Sequence, residues 1–416
     1  MFAQRNATLQ KYKGLLANLG YLTVIKVFNL ILPLIVFPYL LQTLGSQKYG
    51  LVIFAESIVV YLVIFISFGF ALSGTKEISI HRDNKKKVNE IVSSVYIIKG
   101  VIFLISTFCF FIFSSFFLKY KEHQLLFFIT MHLALYEFLF PFWVFQGIEK
   151  MKYITYIDLI SRVVFVLLIF VYIKSPNDYL FVPTFQGIGS IISICIGLYI
   201  LYTKEKIRFI IPPYAVIKKY AKESLLYFTS TLSIQVFTNS NRFLIGSFIG
   251  MTNLAYYDIV EKIIKILAVP TTVLRTVLIP FVNKTKDKKI VRNITKLMAI
   301  SSIFIVFGVW LFANEIIYLV TKQHHEKISY YLKIYSLIIL LYNLSNYYLV
   351  VSLNAFGYQK LFMKTMLSSV ALYLVLIFII FLGKLFIVDY FISVLIIVEL
   401  FIVFNTYHIS YKKNLL

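Results

Sequence analysis

Apolar windows of about 20 residues recur along the chain and are separated by short polar segments. A helix rises ~1.5 Å per residue, so about 20 apolar residues cross the ~30 Å hydrocarbon core of a bilayer. Each window is expected to be helical, because lipid offers backbone N–H and C=O groups no hydrogen-bond partner. The pattern predicts twelve spans, near residues 15–41, 50–72, 91–117, 125–145, 153–173, 179–202, 223–249, 254–282, 297–320, 328–354, 361–382 and 385–408.

The composition agrees with this pattern, since 60% of the 416 residues are hydrophobic and only 14% are charged. A soluble domain of this size would not stay dispersed with such a balance. The predicted fold class is therefore an all-α polytopic membrane protein. Cys109 and Cys195 lie inside apolar windows, where we expect them to pack as small apolar side chains rather than form a disulfide or a metal site.

Lysine and arginine are concentrated in alternate loops. If the N-terminus is cytoplasmic, the basic clusters at 76–87, 204–222 and 284–296 all lie on the cytoplasmic side, and the outside loops hold few cations. This asymmetry predicts that both termini are cytoplasmic. It also accounts for most of the net charge of +23 without nucleic acid as a partner.

The longest cytoplasmic segment, residues 203–222, divides the predicted spans into two sets of six. It contains two consecutive prolines, which are typical of a linker. The sequence therefore predicts an N-terminal lobe at 1–202, a cytoplasmic interlobe linker at 203–222 and a C-terminal lobe at 223–416. Two lobes with even numbers of spans are an arrangement that transporters use.

Charged residues inside predicted spans mark candidate functional sites, because each is costly to place in lipid. Arg242 and Lys262 flank the predicted turn at 250–253, and both would lie roughly 12 Å below one membrane face. The helix after that turn carries four charges on one face, at i, i+3, i+4 and i+7: Asp258, Glu261, Lys262 and Lys265.

Five deeply placed cations are candidate ligands for an anionic substrate: Lys26, Arg162, Arg242, Lys262 and Lys265. In the seventh span, a polar stripe recurs at spacings of four, three and four residues and is widened by Asn239 and Asn241; its members are Thr231, Gln235, Thr238 and Arg242. Amide side chains such as Gln235 and Asn239 suit sugar hydroxyls, although hydrogen bonding between helices is an equally ordinary use.

A structural interpretation competes with the functional one for three of these cations. Asp258 with Lys262, Glu261 with Lys265, and Asp158 with Arg162 are spaced i, i+4, so each pair could neutralise itself. Lys26 and Arg242 have no acid nearby in sequence, which favours a cavity role. A tertiary partner such as Glu137 is the alternative for them.

Glu56, Glu137 and Glu399 are carboxylates within predicted spans, and they are candidates for coupling transport to a proton or sodium gradient. The six histidines show no metal-like cluster. We therefore predict neither a metal nor an organic cofactor.

Three motifs give the chain a resemblance to a known family. They are Pro33 to Gly50, with Leu44-Gly45 and Tyr49-Gly50; Phe68 to Ser79; and Phe-Trp-Val-Phe-Gln-Gly-Ile-Glu-Lys-Met at 142–151. The last is the most specific, because apolarity alone does not require Trp-x-x-Gln-Gly-x-Glu. On these residues the chain resembles Wzx-type oligosaccharide flippases, in the polysaccharide transporter branch of the MOP superfamily, which also contains MATE exporters and lipid II flippases.

The resemblance implies two six-helix lobes around a cationic cavity. It implies transport of an undecaprenyl-diphosphate-linked oligosaccharide from the cytoplasmic to the outer leaflet of a bacterial plasma membrane, for O-antigen or capsule synthesis. The expected partners are this substrate, membrane lipids, and the polymerase and chain-length regulator of the same polysaccharide.

Two other classes of membrane protein are alternatives. A polysaccharide polymerase or ligase needs catalytic groups gathered at a membrane face, usually on a substantial outside loop, and every predicted outside loop is short. A MATE-like exporter of organic cations would need acidic cavity walls, whereas the cations embedded in the spans favour an anionic substrate.

Overall fold

The computed structural model of the protein describes residues 2–116, 122–271, 288–346, 348 and 358–413. Among residues 2–31 it describes the backbone alone, so the side chain of the candidate ligand Lys26 lies outside the described residues. The predicted spans at 91–117, 254–282 and 328–354 end outside the described ranges.

The regular structure within these ranges is helical, which confirms the predicted all-α class. This regular structure includes a short 3-10 helix (Pro176–Leu180) and a π-helix (Ile200–Lys204). In chain order the helices are α1 (Phe2–Ser67), α2 (Phe70–His81), α3 (Lys85–Phe116), α4 (Gln124–Thr130), α5 (His132–Leu139), α6 (Phe142–Gly147), α7 (Met151–Tyr172), α8 (Phe181–Tyr199), α9 (Tyr214–Phe248), α10 (Met251–Leu267), α11 (Lys288–Thr321), α12 (Glu326–Asn346), α13 (Gln359–Leu382) and α14 (Val388–Lys412).

Nine helical stretches in the described ranges are long and apolar enough to cross a membrane, which confirms a polytopic membrane protein. Helices α9 and α10 are not among the nine. Polar residues such as Gln235 and Asn239 interrupt α9, and α10 has 17 residues. These two helices nevertheless overlap predicted spans. Helix α9 carries the candidate Arg242, and α10 carries the candidates Lys262 and Lys265.

Glycine shapes α1 at two positions. Gly45 adopts φ 73° inside the helix, a left-handed conformation that glycine tolerates best, and there the helix kinks between two of the predicted spans. Gly50 meets the start of α10: a Cβ atom at this position would lie 1.9 Å from the backbone oxygen of Met251. The absence of a side chain at Gly50 therefore lets α1 and α10 approach closely.

The chain forms two compact units that interrupt one another in sequence. The N-terminal unit contains Met1–Leu32 and Ala55–Leu232, and the C-terminal unit contains Pro33–Phe54 and Ser233–Leu416. Residues 33–54 of α1 thus pack with the later part of the chain. The division into six-helix lobes joined by a linker at 203–222 stays a prediction.

The core of the N-terminal unit holds the tryptophan of the most specific motif. Trp143 is buried with Phe70, Ile78 and Leu201. Gly74 makes room for its ring, since a Cβ atom on this glycine would lie 2.7 Å from Trp143 Cε3. The tryptophan of the motif is therefore a packing residue.

Many large apolar side chains point away from the packed interior, among them Leu104, Phe108, Phe304 and Phe404. Outward-facing apolar surface on this scale marks contact with a membrane rather than with water. The exposed apolar side chains and the long apolar helices therefore both indicate that the protein lies in lipid.

Candidate substrate-binding site

A charge network joins α9 and α10 in the C-terminal unit. The guanidinium group of Arg242 contacts two carboxylates, with Nη2 3.0 Å from Asp258 Oδ1 and Nε 2.8 Å from Glu261 Oε2. Asp258 and Glu261 are three residues apart in α10, so both carboxylates project from one helical face. Arg242 therefore bridges two acids that the helix period brings together.

A lysine and a tyrosine complete the network around Asp258. Lys262 Nζ lies 2.6 Å from Asp258 Oδ2 and donates to the hydroxyl of Tyr49 at 2.7 Å. That hydroxyl in turn donates to Asp258 Oδ2 at 2.8 Å. Tyr49 belongs to the segment of α1 that packs with the C-terminal unit, and the close approach at Gly50 places it there.

The remaining cation, Lys265, has its Nζ 2.5 Å from Glu261 Oε1. The network thus contains three cations and two carboxylates, for a net charge of +1. Its acids are more deeply buried than its bases, because the exposed fraction is 0% for the Asp258 side chain and 6% for Glu261, but 24% for Lys262 and 59% for Lys265. The accessible side of the network is therefore cationic, as an anion-binding surface requires.

The sequence left two interpretations of these charges open, namely self-neutralising i, i+4 pairs and ligands for an anionic substrate. The network has features of both. The i, i+4 pairs Asp258–Lys262 and Glu261–Lys265 both form. Arg242 has tertiary partners, but they are these same two acids and not Glu137. The pairs neutralise each other only in part, because Arg242 adds a third cation to two carboxylates.

Amide side chains on α9 have separate uses. Asn239 Nδ2 donates to Gln235 Oε1 at 2.7 Å, so these two candidate sugar ligands contact each other. Asn241 is fully buried and joins helices: its Nδ2 donates to the carbonyl of Phe391 at 2.9 Å, and its Oδ1 accepts from the hydroxyl of Tyr373 at 2.7 Å. Asn241 is therefore a structural amide.

The candidate Arg162 lies in the N-terminal unit, on α7. Its Nε is 2.9 Å from Asp158 Oδ2, so the third predicted i, i+4 pair also forms. A second ion pair joins α3 to α5 in this unit, with Lys99 Nζ 2.8 Å from Glu137 Oε1. The Lys99 side chain is almost fully buried.

Two neighbouring cavities open beside these ion pairs. One has a volume of about 290 Å³ and is lined by Lys99, Glu137, Trp143 and others. The second has a volume of about 260 Å³, and Arg162 is among its lining residues. Tyr136 and Asp158 line both cavities, so the two share a wall.

The three candidate coupling carboxylates have different surroundings. Glu56 accepts a hydrogen bond from Gln186 Nε2 at 3.1 Å, and Glu137 pairs with Lys99. Glu399 is buried and accepts from the Ser345 hydroxyl at 2.7 Å. Within the described ranges no lysine or arginine forms an ion pair with Glu399, and no group of acids, histidines and cysteines suits a metal ion.

The motif at 142–151 lies outside the charge network and builds a framework. Glu149 Oε1 lies 2.8 Å from Arg82 Nη1, and Lys150 Nζ lies 2.7 Å from Glu205 Oε1. Gly147 fits against Ile78, where a Cβ atom would come within 2.7 Å of the isoleucine side chain. The motif therefore ties three loops of the N-terminal unit together.

Comparison with known proteins gives this geometry a context. Residues 15–286 match the family described as "Polysaccharide biosynthesis protein". A "Putative O-antigen transporter" of Escherichia coli (strain K12) is 24% identical over 367 residues, which is 87% of this chain and 88% of that protein.

Among solved structures, the lipid II flippase MurJ in an inward closed conformation is similar, with a TM-score of 0.74 and 15% identity over 92% of this chain and 86% of that one. An inward-facing MATE family transporter of the MOP superfamily gives a TM-score of 0.68 and 12% identity, covering 95% of this chain and 99% of that one. At such identities these likenesses show the fold.

This helical fold, with ion pairs and polar cavities among its apolar helices, is that of a multi-pass membrane protein. The chain belongs to the polysaccharide biosynthesis protein family.

Proposed function

We propose that the protein is a flippase for polyprenyl-diphosphate-linked oligosaccharides. It moves the repeat unit of an O-antigen or a capsule from the cytoplasmic to the outer leaflet of a bacterial plasma membrane. Membership of the polysaccharide biosynthesis family and the likeness to an O-antigen transporter support this proposal. The observation that carries it is the net positive network of Arg242, Lys262 and Lys265 with its buried acids.

The network suits the diphosphate of such a lipid. A diphosphate that leaves the headgroup region needs cations on its path, or it is stranded in hydrocarbon. The two buried carboxylates hold three cations in place but leave one positive charge uncompensated. Affinity is then moderate, and a headgroup that binds can also leave.

Transport proceeds by alternating access, with both termini in the cytoplasm. The polymerase and the chain-length regulator of the same polysaccharide act on the flipped product and are the candidate protein partners. In this proposal the site binds the lipid-linked oligosaccharide directly, without a metal ion or an organic cofactor.

A proton or sodium gradient drives the cycle in this proposal. Glu399 is the strongest coupling candidate of the three carboxylates, because it is buried with a hydroxyl as its partner, whereas Glu137 already pairs with Lys99. Transport by a Glu399→Gln variant should be the same before and after the proton gradient is collapsed. Equal transport before and after collapse in the unmodified protein would rule out proton coupling.

Deleting the gene and locating the lipid-linked oligosaccharide tests the function. Accumulation in the cytoplasmic leaflet is expected, because glycan assembly continues while transfer stops. Normal transfer with unpolymerised units in the outer leaflet would instead indicate a polymerase. Complementation with Lys265→Gln then tests the site, since Lys265 is the most exposed cation of the network.

A further inference from the structure

The cavity of about 260 Å³ in the N-terminal unit has chemistry that differs from the charge network. Its charged lining residues, Arg162 and Asp158, form an ion pair with each other. In the adjoining cavity Lys99 is likewise paired with Glu137. A free ion entering these walls would meet charges that are already compensated, so the lining favours a ligand that is polar and uncharged.

The Arg162–Asp158 pair is joined through one nitrogen and one oxygen, Nε and Oδ2. A guanidinium carries five N–H donors and a carboxylate carries two acceptor oxygens. Among the described residues, neither the Nη donors of Arg162 nor Oδ1 of Asp158 takes part in a hydrogen bond, so both groups of the pair keep bonding capacity. Adjacent donors and acceptors of this kind match a pair of neighbouring hydroxyls, each of which both donates and accepts.

Other lining groups extend this surface. Helix α8 contributes Gln186 and Ser190, and the amide of Gln186 is oriented by the hydrogen bond that its Nε2 donates to Glu56. The rings of Tyr136 and Phe165 supply apolar area. A sugar ring presents hydroxyls at its edge and C–H groups on its face, so amide, hydroxyl, charged and aromatic groups together suit it.

We infer that this cavity binds a neutral sugar of the oligosaccharide, while the C-terminal network binds its diphosphate. The inference rests on the proposed flippase function. The cavity lies just below the ~300 to 1,000 Å³ typical of ligand pockets, so it takes a small part of the glycan rather than the repeat unit.

Equilibrium dialysis tests the inference with two probes. One is the labelled glycan released from the lipid-linked intermediates of the bacterium that encodes the protein, and the other is undecaprenyl diphosphate without sugar. Arg162→Gln and Gln186→Ala should each weaken glycan binding about ten-fold and leave undecaprenyl diphosphate binding unchanged. Two variants are used so that one misfolded protein does not decide the outcome.

Lys219→Gln is the matched control. Lys219 also forms an i, i+4 ion pair in the N-terminal unit, with Glu223, but it does not line the cavity. Glycan binding should be unchanged in this variant. Equal glycan affinity in Arg162→Gln, Gln186→Ala and the unmodified protein would overturn the inference.

Tryptophan fluorescence locates the bound glycan. The sequence contains two tryptophans, and Trp310→Phe leaves Trp143, which lines the adjoining cavity, as the reporter. Glycan should change its emission, and a saturable response to sodium ions in place of glycan would overturn the inference in favour of an ion site. Transfer between leaflets without glycan binding would refute the sugar site alone, whereas normal transfer in the deletion strain would refute the flippase function itself.

Discussion

Lys262 Nζ lies 2.7 Å from the hydroxyl oxygen of Tyr49, although 213 positions separate the two residues. The same hydroxyl donates to Asp258, so Tyr49 connects an acid and a base that are four residues apart on α10. A tyrosine from the beginning of the chain thus fixes the geometry of a charged helix near its middle.

Removing this hydroxyl should loosen the network. Tyr49→Phe keeps the ring, which lies 5.3 Å from Lys262 Nζ, but loses hydrogen bonds to two charged groups. We expect a loss of about 2 kcal/mol in stability, because hydrogen bonds to charged groups are worth about 1.5 to 3 kcal/mol. Thermal unfolding in detergent measures it. Tyr257→Phe is the control, since its hydroxyl has a long contact of 3.4 Å with Tyr335, and a larger loss there would contradict the prediction.

Neutralising the central acid should be more damaging. Asp258→Asn leaves Arg242 and Lys262 without the buried charge that both contact, and breaking such a pair costs about 3 to 5 kcal/mol. Arg242 keeps its contact with Glu261, whereas Lys262 loses its carboxylate partner, so adding Lys262→Gln should restore part of the stability. A double-mutant cycle on melting temperatures gives the coupling between the two residues. If the losses of stability in the two single variants simply add up in the double variant, the contact between Asp258 and Lys262 contributes nothing to stability.

Substrate binding should depend on ionic strength. If the network attracts a diphosphate, binding of undecaprenyl diphosphate to the purified protein weakens as salt rises, because the Debye length falls from ~30 Å at 0.01 M to ~8 Å at 0.15 M. The uncharged alcohol undecaprenol has the same chain and should show no such dependence. Parallel salt responses of the two lipids would point to the hydrocarbon tail instead.

The contact between α1 and α10 should tolerate no side chain at position 50. Gly50→Ala places a methyl group on the backbone of Met251, so one helix must move, and we expect little folded protein. Gly308→Ala offers the comparison: nothing lies within 4 Å of its added methyl, and alanine favours a helix over glycine by ~1 kcal/mol. Size-exclusion profiles of the two variants should differ sharply, and similar profiles would contradict the close approach.

Local periodicity predicted much of this fold. The apolar windows gave helices because lipid permits little else, and the spacing of Asp258, Glu261, Lys262 and Lys265 anticipated the pairs along α10. Spacing of three or four residues is sufficient for such contacts, because one helix determines them.

Local spacing does not predict contacts between distant segments of the chain. The partners of Arg242, the pairing of Lys99 with Glu137 and the role of Tyr49 all depend on which helices become neighbours. Tyr49 did leave a signal in the Tyr49-Gly50 dipeptide, where a glycine within a helix suggests close approach of another backbone. The dipeptide does not indicate that the approaching helix is α10.

The division of the chain between its two units has a consequence for engineering. Residues 33–54 belong to the C-terminal unit although they precede most of the N-terminal unit. A gene cut at the exposed segment around Ile211 would therefore yield two fragments that are both incomplete, the second one lacking Tyr49 and Gly50. Such halves would need to be made together in the same cell, each supplying the other with a missing piece, before either could become a stable protein.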